Sequence, residues 1–216
     1  MYAKCFKRII DFTLSLIALI VLSPILLILT VIGAIAMKGN PFFTQLRPGK
    51  NERIFRLIKF RTMSNAKDKD GNLLPDDIRL NKYGRFLRST SLDELPELLN
   101  ILKGDMAIVG PRPLLVEYLP YYTDEERHRH DVRPGLTGLA QVNGRNVTPW
   151  DERLKLDVHY IGRISLKLDV KIICVTIYKT IKKSDILVGE QHGKGHGRLD
   201  VVRAEIKKEY FIEKTN

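Results

Sequence analysis

Cysteine is scarce. The 216-residue chain has two, Cys5 and Cys174, with no C-x-x-C pair and no neighbour at ligand spacing. This speaks against a disulfide framework and a structural zinc site, and suits a reducing compartment. The glycine spacings of the P-loop and of the Rossmann fold are also missing. Acidic residues are outnumbered, 25 against 36 basic, for a net charge of +11. The excess is uneven, because residues 1–61 hold ten basic side chains and two acidic ones. A surface of that sign attracts nucleic acid, anionic lipid or a phosphorylated substrate. Nucleic-acid binding wants basic residues interleaved with stacking aromatics, whereas here the charge flanks apolar sequence; no nucleic-acid partner is expected. A membrane-anchored anion- or nucleic-acid-binding protein is the non-enzymatic alternative.

Charge is absent altogether from residues 12–37. As a straight helix these 26 residues would reach ~39 Å, more than the ~30 Å hydrocarbon core requires. No small-residue cleavage site of a secretory signal follows. Ser23-Pro24 stands near the midpoint, in "IVLSPILL", where proline removes a helical hydrogen bond and crowds the preceding turn. The carbonyl it frees needs a donor, and the Ser23 hydroxyl is at hand. Each arm is then ~18–20 Å, too short to cross alone. Lys4, Lys7 and Arg8 precede the segment and Lys38, Arg47, Lys50 and Arg53 follow it, so the positive-inside rule favours both ends on the cytoplasmic side. On these residues a kinked single span and a helix re-entering one leaflet both stand.

The following "PFFTQLRPGKNERIFRLIKFRTM" predicts a β-hairpin, with turn chemistry at Pro48-Gly49-Lys50-Asn51. The polar "SNAKDKDGNLLPDD" reads as a loop. Its Asp68-Lys69-Asp70 resembles the Asp-x-Asp of metal-dependent glycosyltransferases, but flanking lysines make it a solvated charge run. A calcium loop fails because Gly71 and Arg79 fall at the wrong positions. In "TSLDELPELLN", Ser91-x-x-Glu94 fits a capping box, which would make Asp93 and Glu94 structural. Alternatively a helix starts at Pro96 and leaves both carboxylates in its approach, ionised beside a positive helix end and free for chemistry. Leu95, Leu98, Leu99 and Leu102 would share its apolar face, with Gly104 as the stop. Cations recur around it at Arg79, Lys82, Arg85, Arg88 and Arg112, the last mounted stiffly between Pro111 and Pro113. "RPGLTGLAQVNGRN" is expected to be a glycine-rich turn segment with Gln141, Asn143 and Arg145 as polar handles. Residues 150–161 look helical, and the basic amphipathic run 166–183 suits either the core or a headgroup layer. Beyond Ser184 lies a polar tail. His192-x-x-x-His196 reads as a flexible loop, and His128 and His130 as solvated.

Together, "KRIIDFTLSLIALIVLSP", "PFFTQLRPGKN", "LIKFRTM", "GRFLRSTSLDELPELLNILKGDMAIVGPRP" and "VRPGLTGLAQVNGRN" make the chain similar to the bacterial sugar transferases, the monotopic polyprenol-phosphate phosphoglycosyl transferases. It departs at Ala107, where many relatives carry serine. With no further membrane helix before residue 7, it most resembles the minimal members that transfer diacetylbacillosamine phosphate in protein N-glycosylation. The resemblance implies an α+β, mostly helical monotopic membrane protein on the cytoplasmic face of the bacterial inner membrane. It would have an N-terminal re-entrant helix-break-helix hairpin with its apex at Ser23-Pro24 (1–38), a small β-hairpin, amphipathic interfacial helices, a catalytic domain on the interface (39–183) and a polar tail (184–216). It implies Asp93 as nucleophile on the β-phosphorus of a UDP-sugar, UMP release, and transfer to undecaprenyl phosphate. Mg2+ would be held by Asp93 and Glu94, with Glu94 handling metal or proton. Arg88, Arg112, Arg145 and Lys59 are the candidates for phosphate or substrate contact. UDP-N,N'-diacetylbacillosamine is the expected donor, with another UDP-HexNAc or a hexose for capsule, O-antigen or exopolysaccharide as the alternative. Anionic membrane lipids and the downstream glycosyltransferases of the pathway are the further partners expected. A metal-dependent glycosyltransferase would release UDP instead of UMP.

Overall fold

A computed structural model describes residues 2–144, 148–182 and 197–204. A π-helical turn, Tyr2–Phe6, leads into the long helix α1 (Lys7–Ala36) and then the hairpin strands β1 (Phe42–Pro48) and β2 (Ile54–Phe60). Short helices follow: α2 (Asp76–Arg79), α3 (Lys82–Thr90) and α4 (Glu97–Lys103). Next come β3 (Ala107–Val109), α5 (Asp124–Arg127), β4 (Gly135–Thr137), α6 (Leu139–Val142), α7 (Trp150–Ile161), α8 (Leu166–Lys182) and α9 (Leu199–Val202). The chain is thus mostly helical with two small sheets.

Helix α1 runs unbroken through Pro24, which corrects the expected helix-break-helix at Ser23-Pro24. Proline is tolerated because the Ser23 hydroxyl donates to the Ile20 carbonyl at 2.8 Å, the acceptor that the missing Pro24 N–H leaves without a partner. One stripe of α1 is seated on the body along its whole length. Arg8 donates to the carbonyls of Ile101 and Leu102 at 2.5 and 2.8 Å, at the C-terminal end of α4, where a cation suits the helix dipole. The Asp11 carboxylate accepts from the Ile108 N–H at 3.1 Å. Ala18, Leu19 and Leu22 pack on Phe55, Leu57, Leu98, Ile101 and Met106. Leu26 and Leu29 pack on Phe60 and Leu87. At the far end the Tyr83 hydroxyl donates to Leu29 and the Asn81 amide to Ala36. The opposite stripe is bare, with Ile9, Ile17, Ile20, Val21, Leu27, Val31 and Ile35 among its exposed residues. An apolar face of that extent exceeds what a soluble monomer shows and marks α1 as a membrane element.

The hairpin forms as read, pairing Phe42 with Phe60 through Pro48 with Ile54, and Asn51 supplies a left-handed turn residue at φ 55°. The glycine-rich segment differs from its expectation. Its first part is strand β4, parallel to β3, with Ala107 opposite Gly135 and Val109 opposite Thr137. Gly110 and Gly135 allow this approach, since a Cβ on Gly135 would lie 2.1 Å from the Gly110 nitrogen. Helices α7 and α8 fall where expected. Buried Asp169 on α8 receives Lys7 at 2.6 Å, the Tyr2 hydroxyl at 2.7 Å and the Tyr160 hydroxyl at 2.7 Å, locking four elements together. Along α8, Leu166, Val170, Ile177, Tyr178 and Ile181 remain exposed beside Lys171 and Lys182. One histidine is corrected. His128 is exposed, but His130 is buried against Tyr122, and burial and then Arg129 push its imidazole down to about 3, so it stays neutral. The tail histidines His192 and His196 lie outside the described residues.

Candidate active site

The capping box does not form. Ser91 takes the left-handed conformation, φ 56°, and ends α3, while its side chain caps nothing. Residues Leu92–Glu94 make one 3-10 turn, and α4 begins after Pro96, as the proline predicts. Asp93 and Glu94 therefore sit in the approach to the helix. Within α4, Leu98, Asn100 and Ile101 are buried while Leu99 faces out, so the apolar face is rotated from the one read off the leucines.

Asn100 places the opposite wall. Its amide accepts from the Ile58 N–H at 3.1 Å and donates to the Arg56 carbonyl at 2.8 Å, pinning strand β2 to α4. Lys59 is thereby held over the carboxylates, with its ammonium 2.8 Å from Glu94 Oε1 and 2.9 Å from Glu97 Oε1. Arg112, on its diproline mount, donates to the same Glu94 oxygen at 2.9 Å. Arg88 donates to the Thr62 hydroxyl at 3.0 Å and makes no carboxylate pair among the described residues. Asp93 differs from its neighbours: among the described residues its carboxylate has neither a hydrogen bond nor an ion pair. Lys59, Thr62, Arg88, Asp93, Glu94 and Arg112 line one cavity of about 770 Å³, with Arg47, Arg129, Gln141, Trp150, Arg153 and Asp157 on its other walls.

Electrostatics separates the three acids. Burial and the charge of Glu94 push Asp93 up to about 6. Burial works against Glu94 as well, but Lys59 and Arg112 outweigh it and hold that carboxyl far below the usual range. Glu97, almost fully buried, is pushed up to about 7 despite its bond to Lys59. At neutral pH the cavity therefore offers one ionised carboxylate locked by cations and one, Asp93, that is unencumbered and incompletely solvated.

The structure brings together five of the residues expected from the sequence: Lys59, Arg88, Asp93, Glu94 and Arg112. Arg145 lies outside the described residues. Asp68 is spent on a turn, accepting from the Asp70 and Asn72 N–H groups at 2.9 Å each, and does not line the cavity. Glu97 was missed, though its i+3 spacing from Glu94 was a usable signal. Arg129, bound to Asp157 at 2.8 Å and to the Arg112 carbonyl at 2.7 Å, had no local signal at all.

No group of three or more His, Cys, Asp or Glu able to hold a metal occurs among the described residues. Magnesium, however, commonly takes only one or two carboxylates and completes its shell with substrate phosphates and water. Asp93 and the second oxygen of Glu94, Oε2, which has no hydrogen bond among the described residues, fit that requirement.

The bacterial sugar transferase family matches residues 2–183. Over 180 residues the chain is 47% identical to an uncharacterised sugar transferase, EpsL, of Bacillus subtilis, covering 83% of this chain and 89% of that protein. It is 40% identical over 184 residues to a UDP-glucose:undecaprenyl-phosphate glucose-1-phosphate transferase of Klebsiella pneumoniae, covering 81% of this chain and 40% of the relative. It is 34% identical over 198 residues to an undecaprenyl-phosphate galactose phosphotransferase of Salmonella typhimurium, covering 83% and 40%. The chain thus spans most of the first relative and about two fifths of the other two.

Proposed function

The chain belongs to the bacterial sugar transferase family, and from that membership we propose that it moves a sugar 1-phosphate from a UDP-sugar to undecaprenyl phosphate through an ester on Asp93. A carboxylate oxygen of Asp93 attacks the β-phosphorus. The bond from that phosphorus to the oxygen bridging the two phosphates breaks, and UMP leaves with the bridging oxygen. An oxygen of the lipid phosphate then attacks the same phosphorus, the aspartyl ester breaks, and Asp93 is restored as the lipid diphosphosugar departs. The observation that carries this reading is the isolation of Asp93 in a cluster whose other acids are held by Lys59 and Arg112. A carboxylate not locked in an ion pair with the protein's own cations keeps an oxygen free to attack. Arg88 and Arg112 grip the phosphoryl oxygens as negative charge builds there. Lys59 keeps Glu94 oriented beside the reacting group. Asp93 and Glu94 are the residues that would hold magnesium, which would supply neutralisation of the repulsion between carboxylate and diphosphate.

The anchor reads as monotopic. Both ends of α1 are tied to the same body, at Arg8 and at Ala36, so the unbroken helix stays with that body and sets its bare stripe into one leaflet rather than carrying one end across. Its site then lies at the cytoplasmic headgroup plane, where a lipid phosphate and a cytosolic nucleotide sugar meet. The exposed apolar and basic residues of α8 lie in the same layer, against anionic lipid.

For the sugar, overall likeness favours UDP-N,N'-diacetylbacillosamine and protein glycosylation. The relatives named for glucose and galactose support a second reading, a hexose donor for a surface polysaccharide. Enzyme in lipid nanodiscs, quenched with donor alone and examined by mass spectrometry, should carry a phosphosugar adduct on Asp93, and Asp93→Asn should show neither adduct nor turnover. An active Asp93→Asn enzyme refutes the nucleophile. A panel of UDP-sugars scored for UMP identifies the donor, and UDP as product points instead to simple glycosyl transfer.

A further inference from the structure

Besides Arg88, which the transfer reaction proposed above uses, three guanidinium groups in the wall of the Asp93 cavity have no carboxylate at ion-pair distance among the described residues: Arg47 on β1, Arg61 just after β2 and Arg153 on α7. Arg47 donates from Nη2 to Gln45 Oε1 at 2.7 Å, while its buried Nε has no partner among the described residues. Arg153 donates from Nε to the Thr148 carbonyl at 2.6 Å and lies 4.7 Å from the centroid of the Trp150 ring. Burial and then the charge of Arg112 disfavour both cations, and Arg47 is pushed down to about 10. Other arginines of the same wall are compensated: Arg129 has Asp157 and Arg112 has Glu94. A desolvated cation beside a second cation is costly unless a counter-charge arrives. A protein that folds with two of them facing one cavity gains that compensation from its ligand. The planar fork of arginine suits a phosphate, which it can engage through two parallel bonds.

We propose that Arg47 and Arg153 form a second anion subsite of the cavity that takes a phosphate monoester. The inference rests on the transfer reaction proposed above, which involves two such groups: the UMP that leaves and the polyprenyl phosphate that arrives. Each carries a charge of roughly −1.5 to −2, matching two uncompensated guanidiniums. A subsite built from arginines other than Arg88 lets one phosphate be held while another reacts at Asp93.

The test is binding rather than turnover. Full-length protein in nanodiscs of neutral lipid is titrated calorimetrically with UMP and, separately, with a short-chain polyprenyl phosphate, using the parent, Arg47→Gln, Arg153→Gln and Arg47→Lys. Either glutamine variant should weaken one ligand about tenfold, and Arg47→Lys should recover part of the loss. Weakening of UMP alone assigns the subsite to the departing nucleotide, and weakening of polyprenyl phosphate alone assigns it to the acceptor. Dissociation constants within twofold of the parent for both ligands overturn the proposal. Should Arg47→Gln fail to fold, Arg153→Gln decides the matter by itself. Because the readout needs no covalent step, Asp93→Asn keeps UMP binding whether or not Asp93 is the nucleophile, and the two ideas fail separately.

Discussion

Replacing Lys59 by Met isolates what holds the carboxylates in place. The ammonium lies 2.8 Å from Glu94 and 2.9 Å from Glu97, in a site with little water. Glu94 keeps Arg112 after the change, but Glu97, 3% exposed, loses its ion pair. Removing one partner of a buried pair costs about 3–5 kcal/mol, less here to the extent that Glu97 takes up a proton. Its carboxyl is already raised to about 7 and rises further without Lys59, so protonation at neutral pH is nearly complete. We expect a loss of about 2–4 kcal/mol at pH 7.5, lowering the melting temperature by about 5–15 °C for a chain of this size. The pH dependence has a definite sign. A folded-state pKa above the unfolded value means that the folded protein holds the proton longer, so stability falls as pH rises between the two values. In the parent that fall ends near pH 7; in Lys59→Met it continues, at about 1.4 kcal/mol per pH unit. The gap between the proteins therefore widens from pH 7 to 8.5, and Lys59→Met/Glu97→Gln closes most of the widening. Trp150 is the single tryptophan and packs in the core with Tyr118 and Leu154, so intrinsic fluorescence in nanodiscs follows the melt. A gap that stays constant from pH 5.5 to 8.5, or a Lys59→Met protein as stable as the parent, refutes this account of the cluster.

Formation of the Asp93 adduct should drop as pH falls through about 6, because the raised carboxyl takes up a proton and loses its nucleophilic form; a flat yield from pH 5 to 8 contradicts this. Glu94→Gln should lower kcat by on the order of 10²–10³ while the far-UV spectrum is retained, since the amide oxygen can still accept from Lys59 and Arg112. Near-parental rates would remove Glu94 from the site. A cysteine placed at the N-terminus of a version lacking Cys5 and Cys174 should resist an impermeant thiol reagent in intact cells and react after lysis; labelling before lysis disproves the monotopic anchor.

What the residues alone revealed, and what they hid, follows the range of the interactions involved. The hairpin, the boundaries of α7 and α8 and the start of α4 depend on turn chemistry, proline and periodicity within a dozen residues, and all were legible. The two carboxylates were legible only as an ambiguity, because Ser91-x-x-Glu94 is compatible with a cap. The structure removes it through a long-range fact, the placement of Lys59 and Arg112 over Glu94. Strand β4 was hidden because three residues with two flanking glycines look like a turn until β3 is set beside them. The same holds for His130 and Arg129, whose burial is decided by neighbours distant in sequence. Pro24 taught the reverse lesson: a strong local breaker was overruled by a hydroxyl one residue away and by packing on both sides of it.

The distribution of pairing in the cavity, more than any single residue, explains why a catalytic centre would arise there. Glu94 with Arg112 and Lys59, Glu97 with Lys59, and Asp157 with Arg129 are charge-compensated within the protein before any ligand arrives. Among the described residues Asp93, Arg47, Arg88 and Arg153 have no ionic partner (nor has Arg61, in the same wall), around a space of about 770 Å³. Direct pairing between Asp93 and one of those arginines would be cheaper in the empty protein, and the rigid mounts prevent it: Arg88 is tied to Thr62, Arg47 to Gln45 and Arg153 to Thr148. A polyanion with an electrophilic phosphorus satisfies the cations and presents that atom to the acid in a single binding event. The stability forgone by keeping these four groups apart is thus recovered as substrate binding, and the unpaired carboxylate is left facing the group it attacks.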